Sequence, residues 1–280
     1  MGTNSVRANL TKDDIISEIK LSLGADIKKE LTFMLVEGLD DIRFWKNMAS
    51  ESVVLLESFS GKTGILEIIQ DYFDSEPQVI GVRDKDYESG IIYPKIFYYD
   101  YSCMEIMFIR NDEAFDSIYS EYYDGPLPAS ELKEIILLQL KYLSLIRKYN
   151  EINGWGIKID GISIFNIFDM SAKKIDIQRI ILKLNEINNN YFVKNPDKLN
   201  LINCENKENL KYEELLFITQ GHDFISLFTV FCLKPKGKAV SDKNIVSSLR
   251  CAFRKSDFVN TLLLSKLIEY EKKHSLRIVS

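Results

Sequence analysis

Three short apolar segments, separated by helix-like segments, place the strongest limit on the fold. The apolar runs are LTFMLVEG (31–38), SVVLLESF (52–59) and PQVIGVRDKDYE (77–88). All three are predicted strands, and because LTFMLVEG lacks the polar alternation of a half-exposed strand, we expect that strand to be buried on both faces, as in a parallel sheet. Helical spacing marks the segments between them, 40–49 and 61–73. Strand, helix, strand, helix and strand within about 60 residues predict a parallel α/β sheet flanked by helices.

The chain beyond this region has a different pattern. Residues 95–109 begin like a fourth strand and become helical, and the later segments are mostly helical. The segment 154–169 predicts a β-hairpin, with Asp160-Gly161 as its turn. The sequence therefore predicts an α/β domain over residues 1–110 and a mostly helical extension with one β-hairpin over residues 111–280.

Charge is distributed unevenly along the 280 residues, whose net charge is −5. The last 50 residues hold eleven Lys and Arg against four Asp and Glu, a charge of +7, so the preceding 230 residues carry −12. An acidic body with a basic end suits an enzyme that binds phosphates with one part and a cation with another. A solvated helical face is the alternative interpretation. The acidic balance argues against a protein that simply coats nucleic acid.

Apolar runs, the first residues and the cysteine spacing indicate the cellular compartment and whether zinc is bound. No run of about 18 uncharged apolar residues occurs, so we expect no membrane association. The first residues lack the apolar core of a secretory signal, so we expect a cytoplasmic protein. No cysteine pair has CxxC or zinc-finger spacing, so reduced structural thiols are expected and zinc is not. The cysteines are Cys103, Cys204, Cys232 and Cys251.

Acidic residues follow two of the predicted strands at the point where each strand ends. Glu37 follows FMLV, and Asp84 and Asp86 follow VIGVR. The carboxyl ends of parallel strands share one edge of the sheet, so we expect these three acids to converge. Converging carboxylates repel one another unless a cation neutralises them, and oxygen ligands without His or Cys favour Mg²⁺ or Mn²⁺. Such an ion activates water and stabilises charge on a phosphodiester. The alternative interpretation of the three acids is that they are loop residues that cap helices.

These motifs carry a resemblance to a known family. In order and spacing, LVEGLDD, GKTG and VRDKD resemble a Toprim domain, the fold shared by topoisomerases, primases and OLD-type nucleases. With YYDYSCMEIM (98–107) and QGHDFISLF (220–228), the chain is similar to the Toprim-related family that includes AriB, the effector of the PARIS anti-phage system. The resemblance covers most of the chain, although only the first 110 or so residues contain the specific Toprim motifs.

The resemblance implies which residues form the site. It places the family's glutamate at Glu37 and its DxD at Asp84 and Asp86, with Asp41 as a second-rank ligand. The Asp-Tyr and the glutamate that follow the DxD fall at Asp100 and Glu105. The expected metal ligands, for Mg²⁺ or Mn²⁺, are Glu37, Asp41, Asp84 and Asp86. The expected catalytic residues are Glu37, Asp84, Asp86, Glu105, Lys62 and His222.

Lys62 and His222 each have two interpretations. GKT at 61–63 lacks the earlier glycine of a Walker A motif, since Leu56 stands there, so no nucleotide site is expected. A nucleic-acid phosphate could still contact this helix start and Lys62. His222 is either a buried histidine bonded to Asp223 or a residue of the site that donates a proton or contacts a phosphate.

The resemblance also implies a function. We expect a metal-dependent nuclease effector that cuts RNA, with tRNA as the expected substrate, in an anti-phage system that acts by abortive infection. The resemblance implies an ABC-type ATPase partner that holds the effector in check or recruits it, and an effector that dimerises on release. A DNA-cleaving OLD-like nuclease and a non-catalytic Toprim-like module that binds an ATPase are the alternatives. A haloacid-dehalogenase phosphatase is disfavoured because Glu88 stands where its motif needs Thr or Val.

Overall fold

The computed structural model describes residues 11–88, 93–233 and 240–280. It divides into two compact units. The first contains the described parts of Met1–Lys85, Ser89–Asp100 and Arg254–Ser280, and the second contains Asp86–Glu88 and Tyr101–Phe253. The C-terminal segment thus belongs with the sheet, whereas the sequence analysis grouped it with the helical extension.

The elements alternate in the first third of the chain and are almost all helical afterwards. The first are α1 (Lys12–Ala25), β1 (Thr32–Val36), α2 (Leu39–Met48), β2 (Val53–Glu57), α3 (Gly61–Tyr72), β3 (Val79–Arg83) and β4 (Ile96–Tyr98). Next come α4 (Met104–Arg110), α5 (Asp112–Tyr122), α6 (Ala129–Ile152), α7 (Ile164–Ile167), β5 (Phe168–Asp169) and β6 (Lys174–Ile175). The last are α8 (Ile177–Ile187), α9 (Tyr191–Lys194), α10 (Pro196–Glu205), α11 (Tyr212–Ile218), α12 (Gly221–Phe231), α13 (Asp242–Ala252), α14 (Lys255–Phe258) and α15 (Leu262–His274).

The first unit is built on one parallel sheet with strand order β2-β1-β3-β4. Every residue of β1 and β3 is buried, which is why their apolar runs show no alternation. Register places Phe33 beside Val54 on one side and beside Val79 on the other. The predicted parallel α/β sheet is confirmed.

Chain order places a topological switch point in this sheet. From β1 the chain passes to β2 on one side and then to β3 on the other side of β1. In open parallel sheets, ligands bind beyond the carboxyl ends of the strands at such a point. The ends of β1 and β3 therefore mark the position for a site.

Helices α1 and α3 supply much of the apolar core under the sheet. Helix α1 begins with a capping box in which the Asp14 amide donates to Thr11 Oγ1 at 3.3 Å and the Thr11 amide donates to Asp14 Oδ2 at 2.8 Å. Helix α3 approaches β3 so closely that a Cβ on Gly81 would collide with Ile65 Cγ2. The buried core residues contributed by the two helices are Ile15, Ile16, Ile19, Ile65, Ile68 and Ile69.

The second unit is mostly helical, and its β-hairpin differs from the predicted one. Residues 154–163 contain no strand, and the only pairing in the described part of this unit is the two-residue antiparallel β5–β6. Asparagine side chains form hydrogen bonds with backbone groups that were expected to pair between the two strands of the hairpin. Asn150 Nδ2 donates to the Ile157 carbonyl at 3.0 Å, and the Lys158 amide donates to Asn188 Oδ1 at 2.7 Å.

Among the described helices, none has both the length and the apolar character needed to cross a bilayer.

Candidate functional site

Glu37 and Asp84 meet at the switch point of the sheet. Glu37 directly follows β1 and Asp84 directly follows β3, and these strands are neighbours. The Asp84 amide donates a hydrogen bond to Glu37 Oε1 at 2.8 Å. Both residues are half-buried. The structure therefore brings together the acids that follow the first and third strands.

The start of helix α3 lies beside Glu37. Gly61, its first residue, has a left-handed φ of +50°, and a Cβ there would lie 3.7 Å from Glu37 Oε2. The N-cap Ser60 forms no side-chain capping hydrogen bond in this 12-residue helix. Lys62 follows Gly61 and is half-buried. The positive end of a helix dipole thus stands next to a carboxylate at the carboxyl edge of the sheet.

Arg83 is a residue of this region that the sequence analysis did not single out. Its side chain is buried at the end of β3, with the residue only 2% exposed. Its Nη1 donates to the Lys62 carbonyl at 3.3 Å, and its guanidinium lies 5.4 Å from the centre of the Tyr98 ring. Arg83 therefore ties the end of β3 to the first turn of α3. A charged residue inside the apolar run VIGVR was the available signal.

Asp41 is held by two donors at the start of α2. The amide of Gly38 donates to Asp41 Oδ2 at 3.1 Å, and the Tyr99 hydroxyl donates to Asp41 Oδ1 at 2.6 Å. Trp45 Nε1 donates to the Tyr99 hydroxyl oxygen at 2.9 Å. Burial, and then the nearby Asp41 and Asp84 carboxylates, raise the pKa of Tyr99 well above its ordinary value. Tyr99 therefore keeps its proton, and no sequence pattern pointed to this pairing with Trp45.

The arrangement of the carboxylates decides whether they form a preformed metal site. Over residues 11–88, 93–233 and 240–280, no three His, Cys, Asp or Glu side chains are placed so that they could hold one metal ion. The expected four-carboxylate set is therefore not a preformed cage within those residues. Mg²⁺, however, commonly binds through one or two carboxylates, waters and substrate phosphates. Glu37 and Asp84 lie at the same edge of the sheet and supply two carboxylates, the ligand type that such a partial set uses.

Asp86 and Glu105 belong to the second unit. Asp86 has a left-handed φ of 48°, its amide donates to the Ser102 carbonyl at 2.8 Å, and its Oδ1 accepts from Gln220 Nε2 at 3.1 Å. Glu105 lies in the first turn of α4, and a Cβ on Gly221 would lie 2.7 Å from both its Cβ and its Oε2. Glu105 thus packs against the N-terminus of α12, where the helix dipole favours an anion.

His222 also belongs to the second unit, where it borders a cavity of about 440 Å³. Its side chain is 64% exposed, and its Nε2 lies 3.3 Å from Oδ1 of the buried Asp223. Arg147 donates to both oxygens of Asp223. The predicted contact with Asp223 is present, but the aspartate, not the histidine, is the buried member.

Asp100 and the aromatic residues before it have structural partners in the first unit. Asp100 accepts hydrogen bonds from the amides of Leu262 at 2.8 Å and Leu263 at 2.9 Å, so it caps α15. Phe97, Tyr98 and Tyr99 are buried. Burial of these rings gives them a packing role in the core.

No protein-family model and no curated protein sequence matches this chain.

Proposed function

We propose that this chain is a divalent-metal-dependent nuclease with a Toprim-like sheet. Its reaction is hydrolysis of phosphodiester bonds in RNA, with tRNA as the expected substrate. In this proposal it is the toxic effector of an anti-phage system of the abortive-infection type, and an ABC-type ATPase restrains it until infection. The substrate, the partner and the dimerisation on release enter through the sequence resemblance.

The observation that carries the proposal is the contact between Glu37 and Asp84 at the switch point. Two acids that are 47 positions apart in the chain share a hydrogen bond through the Asp84 amide. They lie where the topology of a parallel sheet favours ligand binding. The start of α3 beside them supports phosphate binding, because backbone amides and Lys62 both attract an anion there.

The roles follow from the chemistry of these groups. A bound Mg²⁺ or Mn²⁺ would activate water and neutralise charge on the phosphate. Glu37 and Asp84 would hold that ion, and Glu37 could instead accept the proton of the attacking water. Lys62 would contact the phosphate. Asp86 enters the proposal through its place after the third predicted strand and through the resemblance, and Glu105 and His222 enter it from the sequence as well.

A non-catalytic module that binds an ATPase partner is the second candidate. The observation that favours it is the lack of a three-residue metal set in the described part of the chain. Metal titration separates the two candidates. A nuclease binds Mn²⁺ saturably and loses that binding in Asp84→Ala, whereas a scaffold shows no binding to lose.

Cleavage of end-labelled tRNA tests the proposal directly. We expect Mg²⁺-dependent products from the wild type and rates at least about 100-fold lower for Glu37→Gln and Asp84→Asn, since each change removes a charge but keeps the shape. Asp71→Asn is the matched control, because Asp71 is an exposed acid of the last turn of α3. Wild-type rates in Glu37→Gln would exclude Glu37 from the mechanism, and cleavage of single-stranded DNA instead of tRNA would favour the OLD-like alternative.

A further inference from the structure

Trp45, Tyr99 and Asp41 form a chain of hydrogen bonds near the acidic edge of the sheet, which is the edge that carries Glu37 and Asp84. The donors in this chain have a fixed direction. An indole nitrogen can only donate, so Trp45 Nε1 makes the Tyr99 oxygen an acceptor at 2.9 Å. The hydroxyl hydrogen of Tyr99 must then point to Asp41 Oδ1, 2.6 Å away. The donors therefore run from Trp45 to Tyr99 to Asp41, and this order cannot reverse.

Packing holds this chain of donors in one arrangement. Trp45 is 0% exposed and Tyr99 is 1% exposed. The ring of Phe44 meets the Tyr99 ring edge-on, with 6.1 Å between centres, and the ring of Phe258 meets Trp45 at 5.6 Å. Rings enclosed in this way occupy single rotamers, so the hydroxyl position is set by the core.

Asp41 connects this core to the acidic edge. Its second oxygen, Oδ2, accepts the amide of Gly38, and Gly38 directly follows Glu37. The turn between β1 and α2 is thus held at Asp41, and Asp41 is held by Tyr99. Both oxygens of Asp41 already face a donor, which suits a supporting role better than a role as the main ligand.

We infer that Tyr99 is a positioning residue for the Glu37–Asp84 edge and that it acts through Asp41. The inference rests on the proposed function, since it assigns Tyr99 to the support of that site. Residues that hold metal ligands in place commonly change metal affinity by 10- to 100-fold when they are replaced. Tyr99 never touches substrate or metal in this scheme.

Metal binding in the absence of RNA tests the inference without relying on turnover. Tyr99→Phe removes the hydroxyl and keeps the ring. We expect its half-saturation by Mn²⁺, followed by electron paramagnetic resonance, to rise about 10- to 100-fold. Tyr270→Phe is the matched control, because Tyr270 is also buried in the first unit and donates to the Pro77 carbonyl at 3.0 Å. It should bind Mn²⁺ like the wild type.

A double-mutant cycle tests the route through Asp41. If Tyr99 acts through Asp41, Tyr99→Phe combined with Asp41→Asn should bind Mn²⁺ no more weakly than Asp41→Asn alone. Additive losses would overturn the route. If Tyr99→Phe does not fold, Asp41→Asn decides, because it keeps the size of the side chain and replaces one of the two oxygens that accept from Tyr99 and Gly38; unchanged Mn²⁺ affinity there overturns the inference.

The outcomes separate the two proposals. A wild type that neither binds Mn²⁺ nor cleaves RNA overturns the proposed function and this inference together. A wild type that does both, with unchanged Mn²⁺ affinity in Tyr99→Phe, overturns the inference alone.

Discussion

Arg147 holds Asp223 through two hydrogen bonds, from Nε to Oδ2 at 2.7 Å and from Nη2 to Oδ1 at 3.0 Å. The side chains are 11% and 3% exposed, so the pair is largely removed from water. Bidentate pairs of this kind are strong, but breaking one leaves a buried charge without compensation. The pair forms one wall of the cavity that His222 borders.

We expect Arg147→Met to lower the free energy of unfolding by about 3–5 kcal/mol, because Asp223 would remain buried without its cation. Arg147→Met with Asp223→Leu should recover much of that loss, since no charge stays buried. Urea unfolding at neutral pH measures both. A loss of less than about 1 kcal/mol in the single variant would show that water or His222 compensates the charge.

The same pair predicts a pH dependence. Burial alone would raise the pKa of Asp223, but the hydrogen bond from His222 and the charge of Arg147 hold that pKa below its ordinary value. A depressed carboxyl pKa stabilises the fold above about pH 4 and loses this effect as pH falls through the folded value. We therefore expect the stability difference between wild type and Arg147→Met to shrink below about pH 4. A difference that stays constant to pH 2 would contradict this.

A substitution of Asp100 can separate a structural role from a functional one. The resemblance assigns Asp100 a functional position, whereas in the structure its carboxylate caps helix α15. Asp100→Ala should lower the free energy of unfolding by about 1 kcal/mol, since two amides of α15 lose their acceptor. Asp100→Asn keeps one acceptor oxygen and should lose less. Urea midpoints measure this. If Asp100→Asn abolished cleavage without changing its midpoint, Asp100 would be functional as well.

Gly221 and Gly24 should respond in opposite directions to the same substitution. Gly221→Ala places a Cβ 2.7 Å from Glu105 Cβ and 2.8 Å from Cys103 Sγ, so we expect a loss of about 1–3 kcal/mol. Gly24→Ala meets nothing within 4 Å inside α1 and should stabilise by about 0.5–1 kcal/mol. Thermal unfolding compares the two. Equal effects would show that the contact with Glu105 is not tight.

Lys95 predicts a pH effect of the same sign in the alkaline range. Burial lowers the pKa of Lys95 from 10.5 to about 8, although Asp74 and Glu76 act against this shift. Between these values the unfolded chain binds the proton that the folded chain has lost, so the contribution of Lys95 to stability rises with pH. The difference in free energy of unfolding, wild type minus Lys95→Met, should therefore increase from about pH 8 to about pH 10.

Lys273→Met is the control for this experiment, because Lys273 is exposed and lines, together with Lys95, one cavity of the first unit. Its difference from wild type should stay level over that pH range. If the difference in free energy of unfolding between wild type and Lys95→Met also stayed constant over this pH range, the Lys95 amine would remain charged in the folded protein.

The hairpin shows where sequence patterns fail. Residues 154–163 alternate as a hairpin should, yet the side chains of Asn150 and Asn188 take the backbone groups that a partner strand would have paired. Those asparagines lie on or beside helices, and Asn188 is 30 positions from Lys158. Local alternation does not reveal a competing partner that distant.

The amino-acid sequence by itself determined the strands of the parallel sheet, with β1 and β3 buried, and the placing of Glu37 and Asp84 after β1 and β3. It could do so because continuous apolar runs report burial, and parallel strands carry their ends to one edge. Only the tertiary structure decided that Tyr99 and Trp45 support Asp41 and that Asp100 caps a helix 162 positions away. Long-range hydrogen bonds depend on which distant segments pack together. The periodicity of apolar residues along the chain does not indicate those segments.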